Sequence, residues 1–254
     1  MSSLKMSGLP WPRKAFSAPA LSGASAAGRL LLAVVLLAAA PVPKFCAGCN
    51  YENAKLASAD FTRGAYLGVN FAGADLSGAS FRNARIVAAN FENADLRNAA
   101  FDGAQCTACN FIGAKFDGAT FTGAQMMAAN FKNFSASVTD EQLRQLLSGC
   151  FSCNFQSSRL GGRDLTGIPL LSVDFSGADL QGTRFDGSVL CWDAVNGTAR
   201  TPTCDKMAGA QTSAASFAGV LLCGDPMDRT TCSRVDADML RANTGSPLTG
   251  AALP

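Results

Sequence analysis

Asn70-Phe71-Ala72-Gly73-Ala74-Asp75-Leu76-Ser77-Gly78-Ala79-Ser80-Phe81-Arg82-Asn83-Ala84-Arg85-Ile86-Val87-Ala88-Ala89 is one period of a repeat that decides the fold. The pair Asn-(Phe/Tyr) that opens it returns every twenty residues, at Asn50-Tyr51, Asn70-Phe71, Asn90-Phe91, Asn110-Phe111 and Asn130-Phe131. Within it runs a beat of five: position 51 and every fifth residue to 131 carries Tyr, Phe, Leu, Ile, Met or Cys, with a small residue, mostly Ala, two positions earlier. Period five fits neither a helix at 3.6 nor an uninterrupted strand at 2. It fits a short strand followed by a corner. The small residue, the next residue and the large apolar residue alternate in, out, in, as strand geometry requires. The remaining positions are rich in Gly, Asn, Ser and Ala, which is corner chemistry. Twenty over five gives four sides per coil, and successive coils stack at roughly 4.8 Å. Internal repetition of this kind defines a solenoid.

Ala74-Asp75-Leu76-Ser77-Gly78 and Ala94-Asp95-Leu96-Arg97-Asn98 resemble the pentapeptide-repeat motif A-(D/N)-(L/F)-x-x. The resemblance covers residues 46–134 almost unbroken and 150–190 more loosely. It implies an all-β, right-handed quadrilateral β-helix. The first side has Tyr51, Phe71, Phe91, Phe111 and Phe131 inside; the second Leu56, Leu76, Leu96 and Phe116; the third Phe61, Phe81, Phe101 and Phe121. The fourth has Cys46, Tyr66, Ile86, Cys106 and Met126. Like stacks on like, so rings fill a narrow tube at interior packing density. The aligned Asn column is expected to form a ladder of amides that fixes coil register.

The coils carry a leader and interruptions. Residues 1–51 hold no Asp or Glu, while Lys5, Arg13, Lys14 and Arg29 are basic, and Leu30–Ala40 is an apolar run too short to span a bilayer comfortably. Residues 1–43 therefore read as an export signal or a bipartite targeting leader. That places the protein in the bacterial periplasm, with the thylakoid lumen as alternative; membrane contact is limited to an uncleaved signal anchor. The coils occupy 44–134. Residues 135–149 read as a helical insertion, opened by the capping box Thr139-Asp140-Glu141-Gln142 and ended by Gly149. Coils resume over 150–192, and 193–254 reads as a cysteine-containing cap protecting the open edge. Arg163 falls in a small inward slot and puts the coil around it in question.

Ten cysteines behind an export signal imply disulfides. Cys46–Cys49, Cys106–Cys109 and Cys150–Cys153 each span a corner between the fourth and first sides, so their Cα atoms fall within about 7 Å and a bridge is feasible. Cys46 and Cys106 lie three coils, roughly 14 Å, apart, which prevents two pairs from sharing a metal. Of the three pairings open to Cys191, Cys204, Cys223 and Cys232, the local one, Cys191–Cys204 with Cys223–Cys232, closes the shortest loops.

The chain has no His, which excludes His-ligated metals, c-type haem attachment and His-based triads, and no catalytic residue or cofactor is assigned. Without the leader, 17 basic residues face 19 acidic ones, and residues 44–134 hold eight basic and seven acidic residues, well mixed. Such a rod has no field to attract nucleic acid, and it lacks the acidity of the DNA-mimicking, gyrase-protecting branch of the family it resembles. Outward positions on three sides are mostly polar or small, but on the fourth Leu67, Val87, Thr107 and Met127 form an apolar column with Arg85 beside it. A column of this kind suits a protein partner, unless the chain's own helix or tail covers it. The expected function is an exported, non-enzymatic scaffold or interaction module. A thiol-redox protein using one CxxC pair is the alternative, and a DNA mimic that binds a topoisomerase ranks below both.

Overall fold

The computed structural model describes residues 42–135, 138–191, 206–223, 230 and 232–254. The chain winds as a four-sided parallel β-solenoid. Side four carries short strands that pair in register, β1 (Phe45–Ala47), β2 (Ala65–Leu67), β3 (Arg85–Val87), β4 (Gln105–Thr107) and β5 (Gln125–Met127), and β6 (Cys150–Phe151) completes a six-stranded parallel sheet. The other sides meet through single parallel bridges one coil apart: Asn50 with Asn70, Lys55 with Asp75, and Asp60 with Ser80. Four pairings per twenty residues are the four sides.

Corner geometry explains the five-residue beat. On sides one to three, the residue three after each inward side chain closes a turn, as in Ala54 N–H to Tyr51 O (3.1 Å), Ala59 N–H to Leu56 O (3.0 Å) and Gly64 N–H to Phe61 O (3.0 Å). The residue before it has positive φ, from Asn53 at 55° to Asn98 at 57°, which is why Asn and Gly recur there. Inside, Phe71, Phe91, Phe111, Phe131 and Phe155 stack with centroids 4.9–5.0 Å apart. They meet the Phe81 and Phe101 stack of side three edge-on, Phe81 lying at 86° to Phe91. The Asn column forms the expected ladder in part. Asn110 Nδ2 donates to Asn90 Oδ1 (3.1 Å), and Asn50, Asn70, Asn90, Asn110, Asn130 and Asn154 each accept the backbone N–H two residues on.

Helix α1 (Asp140–Ser148) has the anticipated capping box, with Gln142 N–H donating to Thr139 Oγ1 (3.2 Å) and Thr139 N–H to Gln142 Oε1 (2.8 Å). It does more than interrupt the stack. Leu143, Leu146 and Leu147 are fully buried and join the solenoid core, so the helix stands in for the third side of its coil. Thr122 of the coil before donates to Gln145 (3.2 Å), and Arg163 of the coil after reaches back to Val138 O (2.8 Å) and Asp140 Oδ1 (2.9 Å). Arg163 therefore leaves the coil intact: its guanidinium turns to the helix N-terminus, where carbonyl and carboxylate receive it.

Past residue 192 the chain departs from a simple cap. Residues 206–223 lay down a further coil, with Met207, Thr212, Phe217 and Leu222 in the inward slots. Phe217 stacks on Phe185 at 5.0 Å, and Asp174, Asp179, Arg184 and Val189 pair with Lys206, Gln211, Ser216 and Leu221. The capping devices come after it. Strand β7 (Val189–Cys191) pairs parallel to β8 (Leu221–Cys223), but β9 (Cys232–Arg234) pairs antiparallel to β8 and ends the parallel edge. Helix α2 (Ala237–Thr244) buries Leu240, and the chain after it lies back on the last coil through Leu248 and the Ser216–Ala252 bridge. The leader up to residue 41 and the Cys191–Cys204 pairing lie outside the described residues.

Candidate docking face

In-register pairing on side four turns one strand position into a straight column. Ala47, Leu67, Val87, Thr107, Met127 and Phe151 are neighbours in successive strands, and Phe151 bridges on to Leu171. Leu67 is 52%, Val87 41%, Met127 46% and Phe151 49% exposed. Thr107 and Leu171 are half-buried. The inward neighbours Tyr66, Ile86, Cys106, Met126 and Cys150 hold each strand against the core, so strand alternation forces the column outward. Beside it, Phe45, Ala65, Arg85, Gln105 and Gln125 form a second column, with Phe45, Arg85, Gln105 and Gln125 exposed. On the other flank the corners are Gly48, Gly68, Ala88, Ala108 and Ala128, all with positive φ, and their small side chains leave the column standing clear.

At its far end the column meets helix α1. Met127, Phe151, Ile168, Pro169 and Leu171 form the apolar wall of a cleft of about 810 Å³, and Arg144 with Gln145 lies on its helical wall. The five residues expected on this face, Leu67, Arg85, Val87, Thr107 and Met127, thus come together. Phe151, Leu171 and the cleft extend the face beyond that expectation. Their signal was present: Phe151 follows inward Cys150 as Met127 follows inward Met126. The four extra residues of the helical coil shift the count and hide it.

The cysteines sit at the corner just past this face. There the chain bends at Gly48, Ala108 and Ser152, and among the described residues no three-residue turn bond closes the corners of Cys46, Cys106 or Cys150. The structure instead brings the sulfurs of Cys46 and Cys49, Cys106 and Cys109, and Cys150 and Cys153 together, with Cα atoms 6.0, 6.0 and 5.6 Å apart. Cys223 and Cys232 face each other across β8 and β9 with Cα atoms 3.9 Å apart. No group of three or more His, Cys, Asp or Glu capable of holding a metal occurs among the described residues. Among the described residues the shifted ionisations belong to groups outside the exposed column. Burial pushes the Tyr66 hydroxyl up to about 12, and it donates to Pro43 O (3.1 Å). A side-chain bond from Arg97 holds Asp95 below the usual carboxylate range.

Two family profiles match: a pentapeptide repeat region over residues 47–131 and pentapeptide repeats over residues 153–190. A comparison with curated proteins finds no match. Among solved structures, a pentapeptide repeat protein from the Arabidopsis thaliana thylakoid lumen is 32% identical over 42% of this chain and 76% of its own, with a TM-score of 0.32. QnrB1, a plasmid-mediated fluoroquinolone resistance protein, is 20% identical over 71% of this chain and 91% of its own (TM-score 0.37). HetL, involved in heterocyst differentiation regulation in the cyanobacterium Nostoc sp. strain PCC 7120, is 17% identical over 82% and 76% (TM-score 0.35). With both matched stretches wound on the same five-residue beat, the chain belongs to the pentapeptide repeat family.

Proposed function

We propose that this protein is an exported, non-enzymatic scaffold that captures another protein on side four of its coil. One observation carries the reading: Leu67, Val87, Met127 and Phe151 stand 41–52% exposed in a single straight column, with Phe45 exposed on the same side. A soluble protein tolerates scattered apolar residues, but an aligned row ending in a cleft is the mark of a contact surface. Paired cysteines behind an acid-free leader support an oxidising compartment, the periplasm or the thylakoid lumen. The balanced charge of the coils disfavours DNA mimicry. Burial of two of the three CxxC pairs disfavours a catalytic thiol there, since exchange needs an accessible sulfur.

The test is a crosslinking pull-down from the native compartment with the wild type and with Val87→Asp/Met127→Asp. The variant should lose the crosslinked partner while its thermal midpoint stays within about 2 °C, because both side chains point away from the core. A large fall in midpoint would instead make the column part of the core, and unchanged crosslinks would move the docking site elsewhere.

A further inference from the structure

The three corner disulfides do not meet solvent equally. Cys106 and Cys109 are 0% and 1% exposed, and Cys150 and Cys153 are both 0% exposed. Each of these pairs has a coil on either side. Among the described residues the first coil has a neighbouring coil on one side only. Among the described residues just 42–45 precede Cys46, with Val42 packed against the core and Pro43 receiving the Tyr66 hydroxyl. Cys46 is nearly buried at 3%, but Cys49 is half-exposed, as are Tyr51 and Leu56 around the same open end. Among the described residues strand β1, which carries Cys46, pairs with β2 alone.

We infer that Cys46–Cys49 is a site of thiol–disulfide exchange with a protein dithiol of the thioredoxin type, and that its opening releases β1 from the coil stack. The attacking thiolate must reach a sulfur in line with the S–S bond. Cys49 is half-exposed and Cys46 nearly buried, so Cys49 is the residue a partner thiolate reaches first. The thiolate bonds to Cys49 Sγ, the Cys46–Cys49 bond breaks, and Cys46 leaves as a thiolate that takes a proton from water. The second thiol of the reductant then attacks the mixed disulfide, frees Cys49 as a thiol and leaves the reductant oxidised. Two electrons and two protons have passed from dithiol to disulfide. What remains at the corner is the main chain, held by Gly48 N–H to Leu67 O (2.8 Å) and Asn70 N–H to Cys49 O (2.9 Å), with no side-chain cross-link from strand to side one. As the edge strand, β1 is then held by its pairing with β2, the Lys44–Asp60 ion pair and the Tyr66 bond to Pro43, without the cross-link that fixed its end to the corner. Its release removes Phe45 and Ala47, the first rung of side four. The site rests on the oxidised state proposed above, and it stands whether or not side four binds a partner.

The oxidised full chain, treated with reduced thioredoxin, quenched and alkylated, would be mapped cysteine by cysteine, which separates this pair from Cys223–Cys232, where Cys232 is also half-exposed. Cys46 and Cys49 should become labelled at least about tenfold faster than Cys106, Cys109, Cys150 and Cys153, as accessibility controls exchange. Amide exchange should rise at residues 45–49 and stay unchanged over residues 86–125. Equal rates for the three pairs, no labelling at Cys46 and Cys49 before denaturant, or free thiols there before reductant would each overturn the assignment. Cys46→Ser/Cys49→Ser should show the fast exchange at 45–49 without reductant; exchange like that of the oxidised wild type would overturn the release of β1.

Discussion

Ala88, Ala108 and Ala128 hold φ of 51–54° at the corner beside the docking face, a conformation that costs an L-residue roughly 1–2 kcal/mol. Glycine pays no such penalty, though its freer unfolded chain costs about 0.4–1 kcal/mol. Ala108→Gly should therefore stabilise the protein by about 0.5 kcal/mol, readable as a shifted denaturation midpoint. Gly103→Ala should act the other way and cost about 1–2 kcal/mol, since φ there is 66° and a Cβ would run into the Asn83 amide oxygen. Carboxylates give a second test at this scale. Asp75 is held below its usual range first by the Ser77 hydroxyl, Asp95 first by Arg97, and Asp164 first by Thr166. A depressed folded pKa adds stability above the unfolded value, and that stability is lost as pH falls through the folded one. Thermal midpoints should be flat above about pH 5 and fall below about pH 4, where unfolded aspartates begin to bind protons. Asp95→Asn, which removes one titrating group, should shrink the acid-side slope.

Helix α1 shows which elements sequence could reveal. Its capping box and its Leu143, Leu146, Leu147 face are local patterns, legible from neighbouring residues alone. That the leucines close the solenoid core depends on coils twenty residues away in each direction, and no local pattern carries that. Arg163 looked misplaced in a small inward slot because its partners, Val138 O and Asp140, belong to that same helix. The coil over 206–223 was hidden differently. Phe175 to Met207 is 32 residues where the repeat has twenty, and Thr212 occupies an inward slot, so both phase and polarity broke the pattern. The hidden role of α1 is testable. Thr139→Ala should cost about 1 kcal/mol as a lost cap, whereas Leu147→Ala should cost about 2–5 kcal/mol as a core truncation. Equal small losses in urea denaturation would mean that the helix merely hangs on the coil.

Across the whole molecule, each coil touches only its neighbours, so stability is a sum of coil and interface terms and the weakest interface decides cooperativity. Among the described residues the coil-to-coil ladder is interrupted at α1. Sides one and four stay continuous there, through Asn110, Asn130 and Asn154 and through β4, β5 and β6. On sides two and three the coil-to-coil bridges stop at Lys115 and Thr120 and resume at Arg159 and Asp164 among the described residues. The buried pairs Cys106–Cys109 and Cys150–Cys153 sit in the coils on either side of this gap, at the corner that joins the two continuous sides. Their placement braces the part of the ladder that the helix leaves intact. Closing a four-residue loop contributes about 2 kcal/mol per bridge in the chain-entropy account, which stabilises the two coils that flank the helix. Replacing all four of these cysteines with Ala should split the single denaturation transition into two and lower the apparent m-value, with amide exchange rising first at residues 125–151. Replacing Cys46 and Cys49 instead should leave one transition, because the first coil lies at an end and separates nothing. A single unchanged transition in the four-cysteine variant would show that α1 and its leucines alone couple the halves.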